Sequence, residues 1–335
     1  MKAIFAALAG LVAVGALGLG LACFAAALAA WGGRTDPRLD VLAHFAPVYF
    51  AGGAVALLIA LLFPGWLKVG LGLPGALAVL AAGGLIWPEL TRPATPRAPA
   101  DAPHQITVIQ FNTWADNVDP EGTGRWIADQ DADVVVLEEA GDDLIAAVLR
   151  LHPYHVTGKG ASVTILSKAK PVDTQVPWPR PRPLAPLARA RFAARDGGFT
   201  VIGAHYTWPT DWWFQAGQAD DTVRVLRLTD PSRLILTGDF NSTPWSFARR
   251  REDARIGLER RTRALFSWPA RNLPPGSGAW PIPFLAIDHV YAGPAWRTVS
   301  VQRGPRLGSD HYPVIVKLAL EGSDQSTAHT GEGPS

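Results

Sequence analysis

Six short segments of the chain bring together carboxylates, amides and histidines of the types that hold a hard cation and move protons. They are Asn112 in Ile109-Gln110-Phe111-Asn112-Thr113, Glu139 at the close of Asp133-Val134-Val135-Val136-Leu137-Glu138-Glu139, and His205 in Ala204-His205-Tyr206. Further on come Asp239 and Asn241 in Gly238-Asp239-Phe240-Asn241-Ser242-Thr243-Pro244-Trp245, Asp288 in Ile287-Asp288-His289-Val290, and Asp310 with His311 in Gly308-Ser309-Asp310-His311-Tyr312-Pro313. Carboxylate and amide oxygens suit Mg²⁺ or Mn²⁺. An Asp beside a His supplies proton transfer, because the carboxylate fixes the imidazole tautomer and stabilises imidazolium. The one cysteine, Cys23, lies in an apolar run, so neither a disulfide framework nor a cysteine metal site is possible. Taken singly, each segment has a plain alternative. Asp239-Phe240-Asn241 reads equally as an Asx-turn ending a strand, and a lone His205 as a hydrogen-bonded interior histidine. Six such segments in order favour chemistry.

The elements that must position these residues follow from periodicity. Residues 106–111 alternate as a strand does and stop at Asn112, and 134–137 form a buried strand finishing at Glu138 and Glu139. Strands are also expected at 162–166, 186–194, 199–204, 234–236, 284–291 and 313–318. Helices are expected around Trp126 and Ile127, over 142–151 and over 213–228. Several consecutive strands between helical regions predict sheet packed on sheet with helices outside. The polar residues recur at strand ends, which are rigid platforms.

Residues 1–90 differ in kind. Their only charges are Lys2, Arg34, Asp36, Arg38, Asp40, Lys68 and Glu89. Apolar runs over 3–31, about 44–63 and about 66–87 are each long enough to span a bilayer, which takes roughly 20 residues. Trp31, Trp66 and Trp87 fall at run ends, where amphipathic rings favour the interface. Three transmembrane helices are predicted; a cleaved signal peptide is the alternative for the first run, which is long for one. The expected location is a cell inner membrane with the remaining domain extracytoplasmic, because a short amino-terminal tail carrying Lys2 stays inside. Residues 91–104 hold four prolines and read as an extended, semi-rigid linker. A folded module is expected over 105–320, and a disordered tail over 321–335. Removing the six basic and three acidic residues before position 101 from the totals of 31 and 29 leaves 25 basic and 26 acidic ones. A near-neutral module lacks the electrostatics of a protein that holds long nucleic acid.

The order and spacing of the six segments resembles the endonuclease/exonuclease/phosphatase superfamily, a group that includes deoxyribonucleases, abasic-site endonucleases and neutral sphingomyelinases. Gly-Asp-Phe-Asn and Gly-Ser-Asp-His-x-Pro are the most specific parts. The resemblance implies an α/β (α+β) fold, a four-layer αββα sandwich with two central, mostly antiparallel sheets. It also implies a metal-dependent hydrolase of phosphate esters. By the same resemblance Glu139 would hold Mg²⁺ or Mn²⁺ with Asn112 beside it and Asp310 as a second acidic group. Asp239 would orient or activate water, and Asn241 would donate to a phosphate oxygen. His311 would sit at the scissile phosphate, oriented by Asp288, and His205 would be a second histidine at the phosphate. Relatives commonly have Gln-Glu where this chain has Glu138-Glu139, and Glu138 is expected to point to the opposite face. Such a site suits a phosphodiester, whose transition state gathers charge on its non-bridging oxygens.

The expected substrate is a phosphate ester, namely a lipid head group, a nucleotide-like ester or nucleic acid. A lipid bilayer is the other partner, and no protein partner is expected. A nuclease is the alternative activity, and a catalytically silent membrane scaffold the alternative class, which loss of site residues would mark. Trp208, Trp212 and Trp213 read chiefly as loop packing. The runs Arg249-Arg250-Arg251 and Arg260, Arg261 and Arg263 read as solvated faces, with attraction of anionic lipid or phosphate as the sharper alternative. Arg180, Arg182, Arg189 and Arg191 alternate as on one strand face.

Overall fold

The structure, a computed structural model, describes residues 1–176, 185–193, 198–271 and 282–321. Four apolar helices come first: α1 Lys2–Trp31, α2 Pro37–Ala43, α3 Ala46–Ala60 and α4 Gly65–Leu90. By length and composition the helices at Lys2–Arg34 and Gly65–Leu90 can cross a membrane, and α2 with α3, bent by 54°, can make a third span. The bend lies in the run expected as one span over 44–63. There Pro47 opens α3, Asp36 caps α2 through the Arg38 N–H, and Phe45 separates the two.

Twelve strands build the rest. They are β1 Gln105–Asn112, β2 Val134–Glu138, β3 His155–Thr157, β4 Val163–Ser167, β5 Asp173–Gln175 and β6 Leu187–Phe192, then β7 Phe199–His205, β8 Leu234–Asp239, β9 Glu259–Arg260, β10 Asp288–Ala292, β11 Trp296–Arg303 and β12 Val314–Leu320. One sheet runs β11-β12-β1-β2-β4-β3 and the other β5-β6-β7-β8-β10-β9. Each sheet has one parallel pair at its centre, β1 with β2 and β7 with β8, and antiparallel neighbours elsewhere. Val108, Val134, Val136, Ile165, Val201, Ile235, Val290 and Val316 interdigitate between the sheets. Helices α5 Pro120–Asp129 and α6 Asp142–Leu151 cover the outer face of the first sheet through Ile127, Leu144 and Val148. Helices α7 Trp212–Leu226 and α8 Phe247–Ile256 cover the second through Ala219, Val223 and Ile256. The result is the four-layer αββα sandwich.

Local chemistry sets the helix ends. Asp119 caps α5 by accepting from the Gly122 N–H, and Pro120 takes the first helical position. Ser246 caps α8, and Gly257 closes it at φ 69°. The strand expected over 284–291 begins only at Asp288. Residues 284 and 285 instead make backbone hydrogen bonds with Trp268, and Ile287 O accepts from the Phe240 N–H. A short apolar run cannot tell a strand from a cleft wall.

The helical part and the sandwich are docked on each other. Ala30, Ala43, Ala46 and Leu85 pack with Trp245 and Ala286 in one buried cluster. Asp40 of α2 accepts from the Phe247 and Ala248 N–H groups at 2.8 and 2.7 Å, which places a carboxylate at the start of α8 beside the Ser246 cap. Glu89 at the end of α4 pairs with Arg260 at 2.8 Å, both buried. Residues 95–98 lie along β11, where Thr298 N–H donates to Pro96 O and Ala98 N–H donates to Thr298 O.

The expected solvated arginine faces are there only in part: Arg251 and Arg263 are exposed, but three of the six arginines are buried. Arg249 is buried against Glu252 and Asp253, Arg260 against Glu89 and Asp253, and Arg261 donates to the carbonyls of Ala292, Gly293 and Trp296. Ion pairs and carbonyls satisfy guanidinium groups that a sequence shows only as charge. Arg189 pairs with Asp173 at 2.6 Å, while Arg180, Arg182 and the tail beyond 321 lie outside the described residues.

Candidate active site

Strand geometry explains the site. Side chains two apart share a face, so Val108, Gln110 and Asn112 of β1 face the other sheet, as do Ile235, Thr237 and Asp239 of β8. Val201 and His205 of β7, and Asp288 and Val290 of β10, do likewise. Both parallel pairs end at the same place, with Asn112 beside Glu138 and His205 beside Asp239, while Asp288 sits opposite Asp239. The polar residues therefore cap one end of the inter-sheet core.

Glu138 and Glu139 divide as alternation alone would not allow. Val134, Val136 and Glu138 share the inward face, and Glu138 is fully buried there. Glu139 should point outward, but its φ of 54° turns the chain back and brings its carboxylate to the cleft. That conformation costs a non-glycine residue roughly 1–3 kcal/mol. Asn241 is similarly left-handed, at φ 47°. At Gly238 a Cβ would stand 1.8 Å from Ala204 O, so only glycine lets β8 approach β7 this closely.

His311 is the best-defined group. Its Nδ1 lies 2.9 Å from Asp288 Oδ2, and its Nε2 lies 3.7 Å from Asp239 Oδ2. Burial alone would lower its pKa; Asp288 and then Asp239 override it and raise it to about 10. The His311 charge correspondingly holds Asp288 below the usual carboxylate range, against the effect of burial. Asp239 is raised to about 7 by burial, with Asp288 adding to the rise and His311 and the Asn241 N–H opposing it. Ser309 fixes the loop: its hydroxyl donates to Asn112 O at 2.7 Å and accepts from the His311 N–H at 2.9 Å.

The remaining expected residues gather around this pair. Asn112 Nδ2 donates to Glu139 Oε1 at 3.2 Å and to Asp239 Oδ2 at 3.0 Å, while its Oδ1 accepts from the Trp114 N–H. Its amide nitrogen, not its oxygen, faces the carboxylates, a geometry that suits spacing them. Asn241 donates to Tyr206 O at 2.8 Å and, more weakly, to Asp239 Oδ2 at 3.3 Å. His205 Nδ1 is 2.8 Å from Ser162 Oγ and its Nε2 is 3.5 Å from Glu139 Oε1. Burial lowers its pKa and keeps it neutral. Asp310 Oδ2 accepts from Trp268 Nε1 at 3.0 Å.

All eight residues thus meet around one cleft of about 480 Å³, six of them in its lining. Sequence reasoning missed several neighbours. Gln110 Nε2 bridges Glu138 Oε2 at 2.9 Å and Asp288 Oδ1 at 2.7 Å. Its place two residues before Asn112 on an inward face was the available signal. Burial, with Asp288 and Asp239 nearby, raises the Glu138 pKa well above the ordinary value, which favours its neutral form. Val41, His44 and Phe45, from the apolar segment, also line the cleft, and nothing local announced them. His44 Nδ1 accepts from the Thr243 N–H at 3.1 Å and lies 2.9 Å from Thr243 Oγ1, two residues beyond Asn241. Trp208 and Trp213, expected to pack a loop, are 59% and 60% exposed.

A divalent cation fits this donor set. Among the described residues the ion pairs of Glu139, Asp239 and Asp288 are with histidine alone, so the cluster is rich in uncompensated negative charge. Asp239, Asp288 and His311 have potential ligand atoms within 4.8 Å of one another. Glu139 and Asp310 are the further carboxylates in the lining of the cleft.

A sandwich of this topology carrying this constellation defines a class of hydrolases. Residues 109–311 match the model of the Endonuclease/Exonuclease/phosphatase family, and the chain belongs to that family. It is accordingly a hydrolase of phosphate esters. Among solved structures it is similar to an endonuclease/exonuclease/phosphatase family protein from Bacteroides thetaiotaomicron, with 16% identity over 65% of this chain and 98% of that one and a TM-score of 0.50. It is also similar to D. rerio TDP2 complexed with single strand DNA product, at 14% identity, 64% and 99% coverage and a TM-score of 0.52. A functionally unknown conserved protein from Enterococcus faecalis V583 aligns at 14% identity, 64% and 100% coverage and a TM-score of 0.52. At such identities the likeness is one of fold. No curated protein sequence matches the chain.

Proposed function

We propose that the chain is a membrane-anchored, divalent-metal-dependent phosphodiesterase, with α1 to α4 as the anchor over 1–90 and the catalytic domain over 105–320. The observation that carries the reading is the buried Asp288–His311–Asp239 series beside the cleft carboxylates Glu139 and Asp310. Glu139 and Asp310, with Asn112 beside them, would hold Mg²⁺ or Mn²⁺, which when bound would supply Lewis-acid charge to the phosphate. Asp239, poised near neutrality, takes the proton of the attacking water as its oxygen bonds to phosphorus. His311 enters as imidazolium, stabilises the charge on the phosphate and protonates the leaving oxygen as the P–O ester bond breaks. The proton on Asp239 then returns to His311. Asn241 and the neutral His205 supply further hydrogen bonds.

The full chain in detergent is expected to hydrolyse bis-p-nitrophenyl phosphate with Mg²⁺ or Mn²⁺, and EDTA is expected to abolish the activity. Turnover that survives EDTA would sink the metal assignment, and no turnover with either metal would favour the silent scaffold. The anchor lies in a cell inner membrane with the catalytic domain outside the cytoplasm. In a Cys23→Ala background, Ala94→Cys should then react with a membrane-impermeant maleimide in intact cells. Labelling only after lysis would reverse the orientation.

A further inference from the structure

We propose that the anchor forms part of the substrate site, and that the substrate is a phosphate ester carrying a hydrocarbon chain drawn from the bilayer. The inference rests on the phosphodiesterase reading and names its substrate class. The cleft has two unlike walls. One carries the acidic and histidine side chains; the other is apolar, and two of its residues, Val41 in α2 and Phe45 between α2 and α3, come from the anchor.

An aromatic series joins the anchor to the reacting centre. Phe45 lies 6.3 Å from Phe284, Phe284 lies 5.8 Å from Trp268, and Trp268 lies 6.2 Å from Trp208, all between ring centroids. Trp268 also donates its indole N–H to Asp310. The apolar surface beside Asp310 is thus continuous with Phe45, the residue that precedes α3. Trp208 and Trp213, largely exposed on the segment that follows His205, suit the lipid interface.

Nucleic acid is the competing occupant, since aromatic rings also stack bases. It would need free cations along the wall. None of the described residues that line the cleft is a lysine or an arginine, and the domain carries no net positive charge. A hydrocarbon needs none. Each methylene moved from water onto an apolar wall is worth about fourfold in binding, so three or four give roughly 100-fold.

The test uses the full chain in dioleoylphosphatidylcholine vesicles with Mg²⁺ and two diesters that differ only in chain, hexadecyl and methyl p-nitrophenyl phosphate. The expected kcat/KM for the hexadecyl ester exceeds that for the methyl ester by about 100-fold, chiefly through KM. Phe45→Asp is expected to reduce this ratio about tenfold. Trp208→Ala, at an exposed position that folding tolerates, should reduce it as well. Equal rates for the two esters, a ratio unmoved by both variants, or faster hydrolysis of a single-stranded DNA oligonucleotide would each overturn the inference while leaving the phosphodiesterase reading intact. Absence of hydrolysis of every ester, bis-p-nitrophenyl phosphate included, would overturn both.

Discussion

His311→Ala is expected to lower kcat for a phosphodiester by about 10²- to 10⁴-fold, the usual contribution of a positioned acid or base, with little change in KM. The imidazole is buried, is oriented through Nδ1 by Asp288 at 2.9 Å and points Nε2 toward Asp239 at 3.7 Å. The other histidine beside the cleft carboxylates, His205, is no substitute, because burial lowers its pKa. The pH profile supplies an independent check. Asp239 works deprotonated, so activity should rise as pH increases through its raised value of about 7. His311 works protonated, so activity should fall as pH passes about 10. In Asp288→Asn the carboxylate that holds the imidazolium is gone, and the alkaline limb should move down toward the ordinary histidine value. An alkaline limb that stays in place would mean that the limb reports another group.

Glu89→Gln is expected to destabilise the full chain by about 3–5 kcal/mol, the cost of removing one partner from a buried ion pair. The Glu89 and Arg260 side chains are 2% and 4% exposed and meet at 2.8 Å, with Arg92 on Glu89 at 3.3 Å. The pair joins the last apolar helix to the catalytic domain, so the loss should appear as a lower thermal midpoint in detergent. Exchanging both partners for methionine should recover much of the loss, since apolar residues fill such a site without an orphaned charge. A change below about 1 kcal/mol would show instead that water relieves the pair.

Much of the site was legible because it lies in contiguous segments. Asp239 with Asn241 and Asp310 with His311 occupy turns whose glycine and serine are needed locally, Gly238 for strand approach and Ser309 for two loop hydrogen bonds. Gln110 was not legible, since a glutamine within a strand has no local role and matters only because Glu138 and Asp288 meet it inside. Arg249, Arg260 and Arg261 misled for the opposite reason. Charge along a chain suggests solvent, while Glu89, Glu252 and Asp253 arrive from three-dimensional packing.

The sequence by itself put strands on strands with helices outside and polar residues at strand ends, because alternation and turn chemistry act over a few neighbours; the four-layer sandwich and the roles of the eight residues were what the resemblance of the six segments implied. The sequence also marked apolar runs long enough to cross a membrane, because length and composition are local properties. Only the tertiary structure decided that Glu139 leaves strand alternation to face the cleft, which its left-handed backbone accomplishes. Only the tertiary structure, too, brought Val41, His44 and Phe45 to the cleft that Asn112, Glu139, Asp239, Asp310 and His311 line. Those contacts span about two hundred residues of chain, as between His44 and Thr243, and depend on how buried surfaces fit.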